Sequence, residues 1–288
     1  MNELYAIAGV SKQAYHKRQM VQENRTAMEE NIFRQVNVVR AQHPGMGARK
    51  VYHKLSPLPL GRDRFEMLLL SHGYRLRRIR SFVRTTIRHR RALDFPNLCT
   101  GLILQRINRV WVSDITYYRL GDRFCYLAFE MDLYSRRILG ASVSETLEAT
   151  GTLTALRKAF ATRGFASYQY QLIHHSDPGT QYLSNGMLAL CREQKCRVST
   201  GKSVFENAHI ERVHGIIKNE YLSYWTIMTI ADLRHAVDQV VQSYNYDRPH
   251  SCLAMKTPVE FEEYVCKLPR NERPILCPYT DEKAWRKK

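Results

Sequence analysis

From residue 109 onward the chain reads as three short β-strands at hairpin spacing, and that pattern leaves few folds open. Val110-Trp111-Val112-Ser113-Asp114-Ile115-Thr116-Tyr117-Tyr118 is rich in β-branched and aromatic residues, and Gly121-Asp122 makes a turn. Phe124 to Leu133 forms a second strand, and Tyr134-Ser135-Arg136 turns into a third over Ile138 to Val143. Three such strands in succession predict an antiparallel meander. The texture then alternates: a helix over Ala149 to Thr162, a strand over Gln171 to His174, a helix over Asn185 to Glu193, a strand over Arg197 to Ser199, and a helix over 206 to 220. The order β-β-β-α-β-α-β-α predicts an α/β fold with a mixed five-stranded sheet between helices.

The first hundred residues have a different character. They hold 19 basic and 7 acidic side chains, a net of +12, whereas the remaining 188 carry only +5 of the total +17. An excess so concentrated points to a polyanion as partner. Asn2 to Ala8, a turn at Gly9-Val10, and Ser11 as N-cap for Lys12 to Arg18 outline a helix-turn-helix half or a plain helical hairpin, and both readings stand. A helix over 26 to 42 follows, ended by His43-Pro44-Gly45. Gly47 to Leu55, a Pro-rich link at Ser56 to Pro59, and Arg62 to Ser71 closed by Gly73 give two more short helices. Residues 75 to 91 hold eight arginines, and no acid occurs between Met67 and Leu93. Arginine over lysine suits phosphate contacts, because the guanidinium fork matches the oxygens. Residues 1–95 therefore read as an all-helical basic DNA-binding arm, with Arg49, Lys50, Arg75, Arg77, Arg78 and Arg80 as DNA contacts, 96–265 as the α/β core and 266–288 as a tail.

At helical pitch Asn207, Glu211, His214 and Lys218 share one stripe, beside an apolar stripe of Ile210, Val213 and Ile217. Asp114 lies within the first strand and Asp177 just after the fourth. If those strands are neighbours, both carboxylates sit at one end of the sheet, facing the helix that carries Glu211. Taken singly, Asp114 is an ordinary strand-edge aspartate and Asp177 an Asx-turn residue before Pro178-Gly179. Taken together, three carboxylates repel one another without cations, and oxygen-only ligands suit Mg²⁺ or Mn²⁺. Two such ions ~4 Å apart serve phosphoryl transfer on nucleic acid. Glu206 reads as a helix-capping acid, Asp132 as a brace for the turn at Ser135-Arg136, and His174 and His175 as structural groups. Arg248-Pro249-His250 reads as a cap packed on the core.

Five stretches then carry a resemblance: Trp111 to Tyr117, Met131 to Arg137, His174 to Tyr182, Glu206 to Arg212 and Tyr244 to His250. In that order they resemble the signatures of the integrase catalytic core of bacterial insertion-sequence transposases, specifically the second-reading-frame protein of the insertion sequence 3 family. The resemblance runs from about residue 109 to 261, and Gly9 to Tyr15 and His43 to Leu70 resemble the helical region that precedes that core. It implies an RNase H-like fold, a DDE triad of Asp114, Asp177 and Glu211 binding two Mg²⁺, and cleavage and transfer of an element's ends into target DNA. It also implies DNA contacts by Lys218 and Asn207, action as at least a dimer on DNA, and a link to an upstream-frame protein, to which such proteins are often fused by frameshifting. Two departures stand out. The 33 residues between Asp177 and Glu211 fall a little short of the family pattern around Thr200 to Phe205, and Pro178 occupies a position that is often basic. They favour, as the rival reading, a catalytically inactive or domesticated DNA-binding derivative. A general RNase H-type nuclease fits less well, since the arginine-rich arm argues for duplex DNA.

No apolar run approaches the ~20 residues of a membrane span, the start lacks a signal-peptide pattern, and the cytoplasm is the expected compartment. Seven cysteines, odd in number and never spaced C-x-x-C, indicate reduced, mostly buried thiols rather than a disulfide framework or zinc ribbon.

Overall fold

A computed structural model describes residues 9–76, 95–164, 168–201 and 208–277. The chain divides into two compact units, Met1–Arg75 and Leu76–Lys288.

In the first unit, α1 (Lys12–Gln42) is capped by Ser11, whose hydroxyl accepts from the Ala14 amide at 3.2 Å. The sequence suggested two helices with a gap after Arg18, but α1 is continuous. Residues 19–25 contain neither Gly nor Pro, and the i,i+4 pairs Gln19–Glu23 (3.1 Å) and Arg25–Glu29 (2.8 Å) carry the helix through. Residues 1–8, the first half of the expected helical pair, lie outside the described residues. α2 (Ala48–Leu55) and α3 (Arg62–Ser71) fall where the turn residues put them. Ile32, Val36 and Val39 of α1 meet Val51, Phe65 and Leu69 in a small core.

The second unit is built on one sheet of β1 (Val110–Leu120), β2 (Arg123–Asp132), β3 (Ile138–Ser144), β4 (Ile173–Ser176) and β5 (Arg197–Thr200), in spatial order β3-β2-β1-β4-β5. The first three strands form the antiparallel meander, and β4 and β5 run parallel to β1. This is the RNase H-like arrangement. One face is covered by α4 (Ala149–Arg163) and α5 (Asn185–Glu193), which bury Trp111, Leu156, Phe160 and Met187. The other is covered by α6 (Ala208–Ile216), α7 (Ile230–Tyr246) and α8 (Pro258–Lys267), over Val110, Val112, Leu127 and Phe129. Such burial stabilises by roughly 25 cal/mol per Å² of apolar surface.

β4 begins two residues later than its expected start at Gln171. Gln169 and Tyr170 have φ of 47° and 58°, so the chain is still turning there, and the strand forms only where register with β1 and β5 begins. Its residues are polar but buried and bonded. His174 Nε2 lies 3.2 Å from Glu130 Oε1, and His175 Nδ1 2.9 Å from Ser199 Oγ. Burial, and then the neighbouring His174, push the His175 pKa down to about 4, so its ring is neutral near neutral pH.

The chain after α8 folds back on the core. Leu276 and Leu104 exchange backbone hydrogen bonds of 2.8 and 2.9 Å, and the Tyr134 hydroxyl donates to the Pro274 carbonyl at 2.8 Å. Among the described residues no helix is long and apolar enough to cross a membrane. Cys99, Cys125, Cys191 and Cys196 are buried, Cys252, Cys266 and Cys277 exposed, and all are reduced.

One buried charge network ties the two helical layers across the β2–β3 turn. Arg163 of α4 donates to Glu262 of α8 at 2.6 and 2.8 Å and to Asp132 of β2 at 3.3 Å, while Arg137 reaches Glu262 at 2.8 Å. Asp132 also accepts the amides of Asn108, Tyr134 and Ser135, which makes it the turn brace expected from sequence. Arg163→Met is expected to cost about 3–5 kcal/mol, because the buried Asp132 loses its cation and Glu262 keeps only Arg137. Urea unfolding of the variant against wild type measures this.

Candidate active site

The parallel pairing of β1 with β4 places Ser113 opposite Ser176. Asp114 is the next residue on β1 and Asp177 the first after β4, so the backbone brings the two positions to one end of the paired strands. Side chains alternate across a strand, which turns Asp114 from the α4–α5 face toward α6. Both carboxylates bear on one group. The buried Tyr182 phenol is held well above its ordinary pKa by burial first and then by Asp114 and Asp177. Burial also raises the Asp177 carboxyl, against the Gly179 amide that donates to its Oδ1 at 3.2 Å. Asp177 is therefore the Asx-turn residue its sequence allowed as well as a partner of Asp114. Asp114 Oδ1 accepts the Ile115 amide at 3.0 Å.

α6 lies against β1 through the polar stripe read in the sequence. His214 Nδ1 stands 3.6 Å from Asp114 Oδ2, with the imidazole nearly buried against Phe129. Lys218 donates to Thr116 Oγ1 at 2.8 Å and to the Tyr117 carbonyl at 3.0 Å, and its ammonium sits 4.9 Å from the Tyr117 ring. Burial lowers the Lys218 pKa, and Asp114 opposes that shift. Glu211 lies in the first turn of α6, one turn before His214. After Ile216 the helix widens into a π-turn over Ile217–Tyr221, where Glu220 takes a two-pronged bond from the buried Arg248 at 2.7 and 2.9 Å. Arg248 thus packs on the core, as the sequence suggested, and also holds this turn.

Whether these groups fit a divalent cation rests on the carboxylate pair. Asp114 and Asp177 offer hard oxygen donors at one end of the paired strands, which suits Mg²⁺ or Mn²⁺. Among the described residues no three His, Cys, Asp or Glu side chains close into a metal cage, so Glu211 does not complete one with the pair. Asn207 and Glu206 lie outside the described residues, in the stretch that leads into α6.

Of the expected DNA contacts, Arg49 is exposed and paired with Glu66 at 3.0 Å, Lys50 is half-buried on α2, and Arg75 is exposed. Arg77, Arg78 and Arg80 lie outside the described residues. Sequence reasoning gave no role to three residues that shape the site. Tyr182 and Gly179 lay inside a motif without being singled out, and His214 was only a member of a stripe; its i+3 offset from Glu211 was the signal for its place beside Asp114.

Two family models, both described as integrase core domain, match residues 105–203 and 193–258, a span that contains Asp114, Asp177 and Glu211. The fold and these matches define the class: the chain carries an integrase core domain. A protein of Mycobacterium tuberculosis assigned to insertion sequence element IS986/IS6110 as its transposase is 34% identical over 162 residues, 54% of this chain and 58% of that protein. The insertion element IS600 uncharacterized 31 kDa protein of Shigella sonnei is 28% identical over 269 residues, 89% of this chain and 96% of that protein. Transposase InsF of insertion sequence IS3fB from Escherichia coli is 30% identical over 158 residues, 54% of each chain. These relatives place the chain's similarity with transposases and an uncharacterized protein of bacterial insertion sequences. It spans 58% of the length of the Mycobacterium relatives it matches. The HTLV-2 integrase catalytic core in complex with magnesium is similar at 21% identity and a TM-score of 0.42, over 55% of this chain and 97% of that one.

A Cβ at residue 179 would lie 3.0 Å from Asp177 Oδ1 and 3.1 Å from Gln181 Oε1. Gly179→Ala is accordingly expected to lose about 1 kcal/mol of stability, the low end for overpacking. Denaturant unfolding reads the loss.

Proposed function

We propose that the chain is a DNA transposase that cleaves the ends of an insertion element and transfers them into target DNA, with Asp114, Asp177 and Glu211 as its catalytic and metal-binding carboxylates. The observation that carries this reading is the register that pairs Ser113 with Ser176 and so brings Asp114 and Asp177 to one end of parallel strands, with Asp114 facing the helix that bears Glu211. The integrase core domain and the likeness to insertion-sequence transposases support it.

Asp114 and Asp177 would hold the first divalent ion, with Glu211 as the third carboxylate of the set. Ions held there would supply Lewis-acid activation of a water or 3′-hydroxyl and stabilisation of the leaving oxygen. The protein's own contribution is placement. The Gly179 amide and the Tyr182 anchor fix the Asp177 turn. His214 meets the outer oxygen of Asp114, and Lys218 pins the helix beyond Glu211 to β1. In this reading the substrates are duplex terminal repeats and target DNA, the working form is at least a dimer on DNA, an upstream-frame protein or fusion is a partner, and the cytoplasm is the compartment.

A second reading has one observation in its favour. Glu211 does not close a cage with the two aspartates among the described residues, as expected of a derivative that binds DNA without cutting it. One assay separates the two. With Mg²⁺ and DNA carrying the cognate ends, wild type is expected to cleave and join strands, and Asp177→Asn and Glu211→Gln to fall by at least ~10³-fold. Activity that survives both substitutions refutes the triad, and DNA binding with no response to metal establishes the second reading.

A further inference from the structure

The amino ends of the three parallel strands carry a cluster of positive charge that the carboxylate site does not use. Arg109 immediately precedes β1, Gln171 precedes β4 by two residues, and Arg197 opens β5. The Arg109 carbonyl accepts the Ile173 amide at 3.0 Å, and Ile173 stands opposite Arg197, so the two arginines flank one strand. Gln171 gathers a third. Its side-chain oxygen takes a bond from Arg106 Nη2 at 2.7 Å, and its backbone carbonyl takes one from Arg109 Nη1 at 2.7 Å. Lys195, exposed two residues before Arg197, lies on the same rim, its carbonyl accepting from the Tyr170 amide.

Like charges held together oppose one another unless an anion joins them. Burial and then the charges of Arg106 and Arg197 lower the Arg109 pKa. Among the described residues none of the three guanidiniums has a carboxylate partner. Each bond to Gln171 uses one N–H of a five-donor fork, so Arg106 and Arg109 are oriented with donors to spare.

We propose that Arg106, Arg109 and Arg197, organised by Gln171, form a second DNA-backbone contact at the end of the sheet opposite the carboxylates. The occupant is duplex DNA rather than a free anion, for two reasons. The chain as a whole carries +17. The five residue-to-residue steps from Arg109 to Asp114 span ~16 Å of strand, close to the rise of five base pairs, so one duplex spans both places. The proposal rests on the DNA reading above and extends it to a surface that does no chemistry.

The test is binding of a labelled duplex to the full chain by fluorescence anisotropy at several salt concentrations. The triple variant Arg106→Gln/Arg109→Gln/Arg197→Gln is expected to bind at least tenfold more weakly at low salt. Its log–log salt slope should be shallower by about two to three, near 0.9 for each phosphate that is no longer neutralised. A control that removes three other exposed cations, Arg157→Gln/Lys158→Gln/Arg270→Gln, is expected to keep most of the slope. Arg197→Gln alone, at an exposed site, should lower the slope by about one and serves if the triple variant misfolds. An unchanged slope, or an equal reduction in the control, overturns the proposal and leaves the transposase reading intact. Thermal stabilisation by inorganic phosphate that the triple variant no longer shows, with an unchanged DNA slope, overturns the choice of DNA as occupant. Absence of duplex binding by wild type overturns both readings.

Discussion

Four backbone pairs between β1 and β4 set the geometry of everything around the carboxylates. Because side chains alternate, the Ser113–Ser176 pair directs its hydroxyls to one face and hands Asp114 to the other. A slip of one residue would send that aspartate into the layer of Trp111 and Phe160. The register is held by groups that are costly to displace: His175 bonded to Ser199 on one side, and His174 facing Glu130 across β1 on the other, all buried. A strand of four residues thus has its alignment fixed by polar contacts more than by apolar bulk.

Charge is used in two ways in this core. Where Asp132, Arg163, Arg137 and Glu262 meet, every ion has an opposite partner, and the cluster fixes how α4 and α8 meet the β2–β3 turn. At Asp114 with Asp177, and at Arg106 with Arg109 and Arg197, like charges are gathered instead. In the readings proposed above, gathered like charge takes its partner from outside the chain, a cation in one case and a polyanion in the other.

Much of the core was legible in its residues. The strand runs at 110–118, 124–133 and 138–143 announced themselves by β-branched and aromatic density, and the helices by period and caps. β4 was placed two residues early because Ile173-His174-His175-Ser176 has little apolar signature; its strand state comes from neighbours distant in sequence. α1 was split because an uninterrupted polar surface helix gives period-based reasoning little to follow between Arg18 and Thr26. Asp114 and Asp177 could be set at one end of the sheet from the order of elements alone, because β1 and β4 pair as that order suggests. The roles of His214, Tyr182 and Gly179 were not, because each depends on which atom faces which, and composition does not report that.

The π-turn at Ile217–Tyr221 limits how this segment can vary. A widened turn carries one residue more than a regular one, so the helix surface before it and the surface after it are out of phase. Glu211, His214 and Lys218 obey one phase, and Glu220, clasped by Arg248, obeys the other. Deleting a single residue here would restore ideal helical geometry and swing Glu220 by ~100° away from its arginine. Chain length through this turn is therefore as constrained as residue identity, and a more regular helix would make a poorer protein.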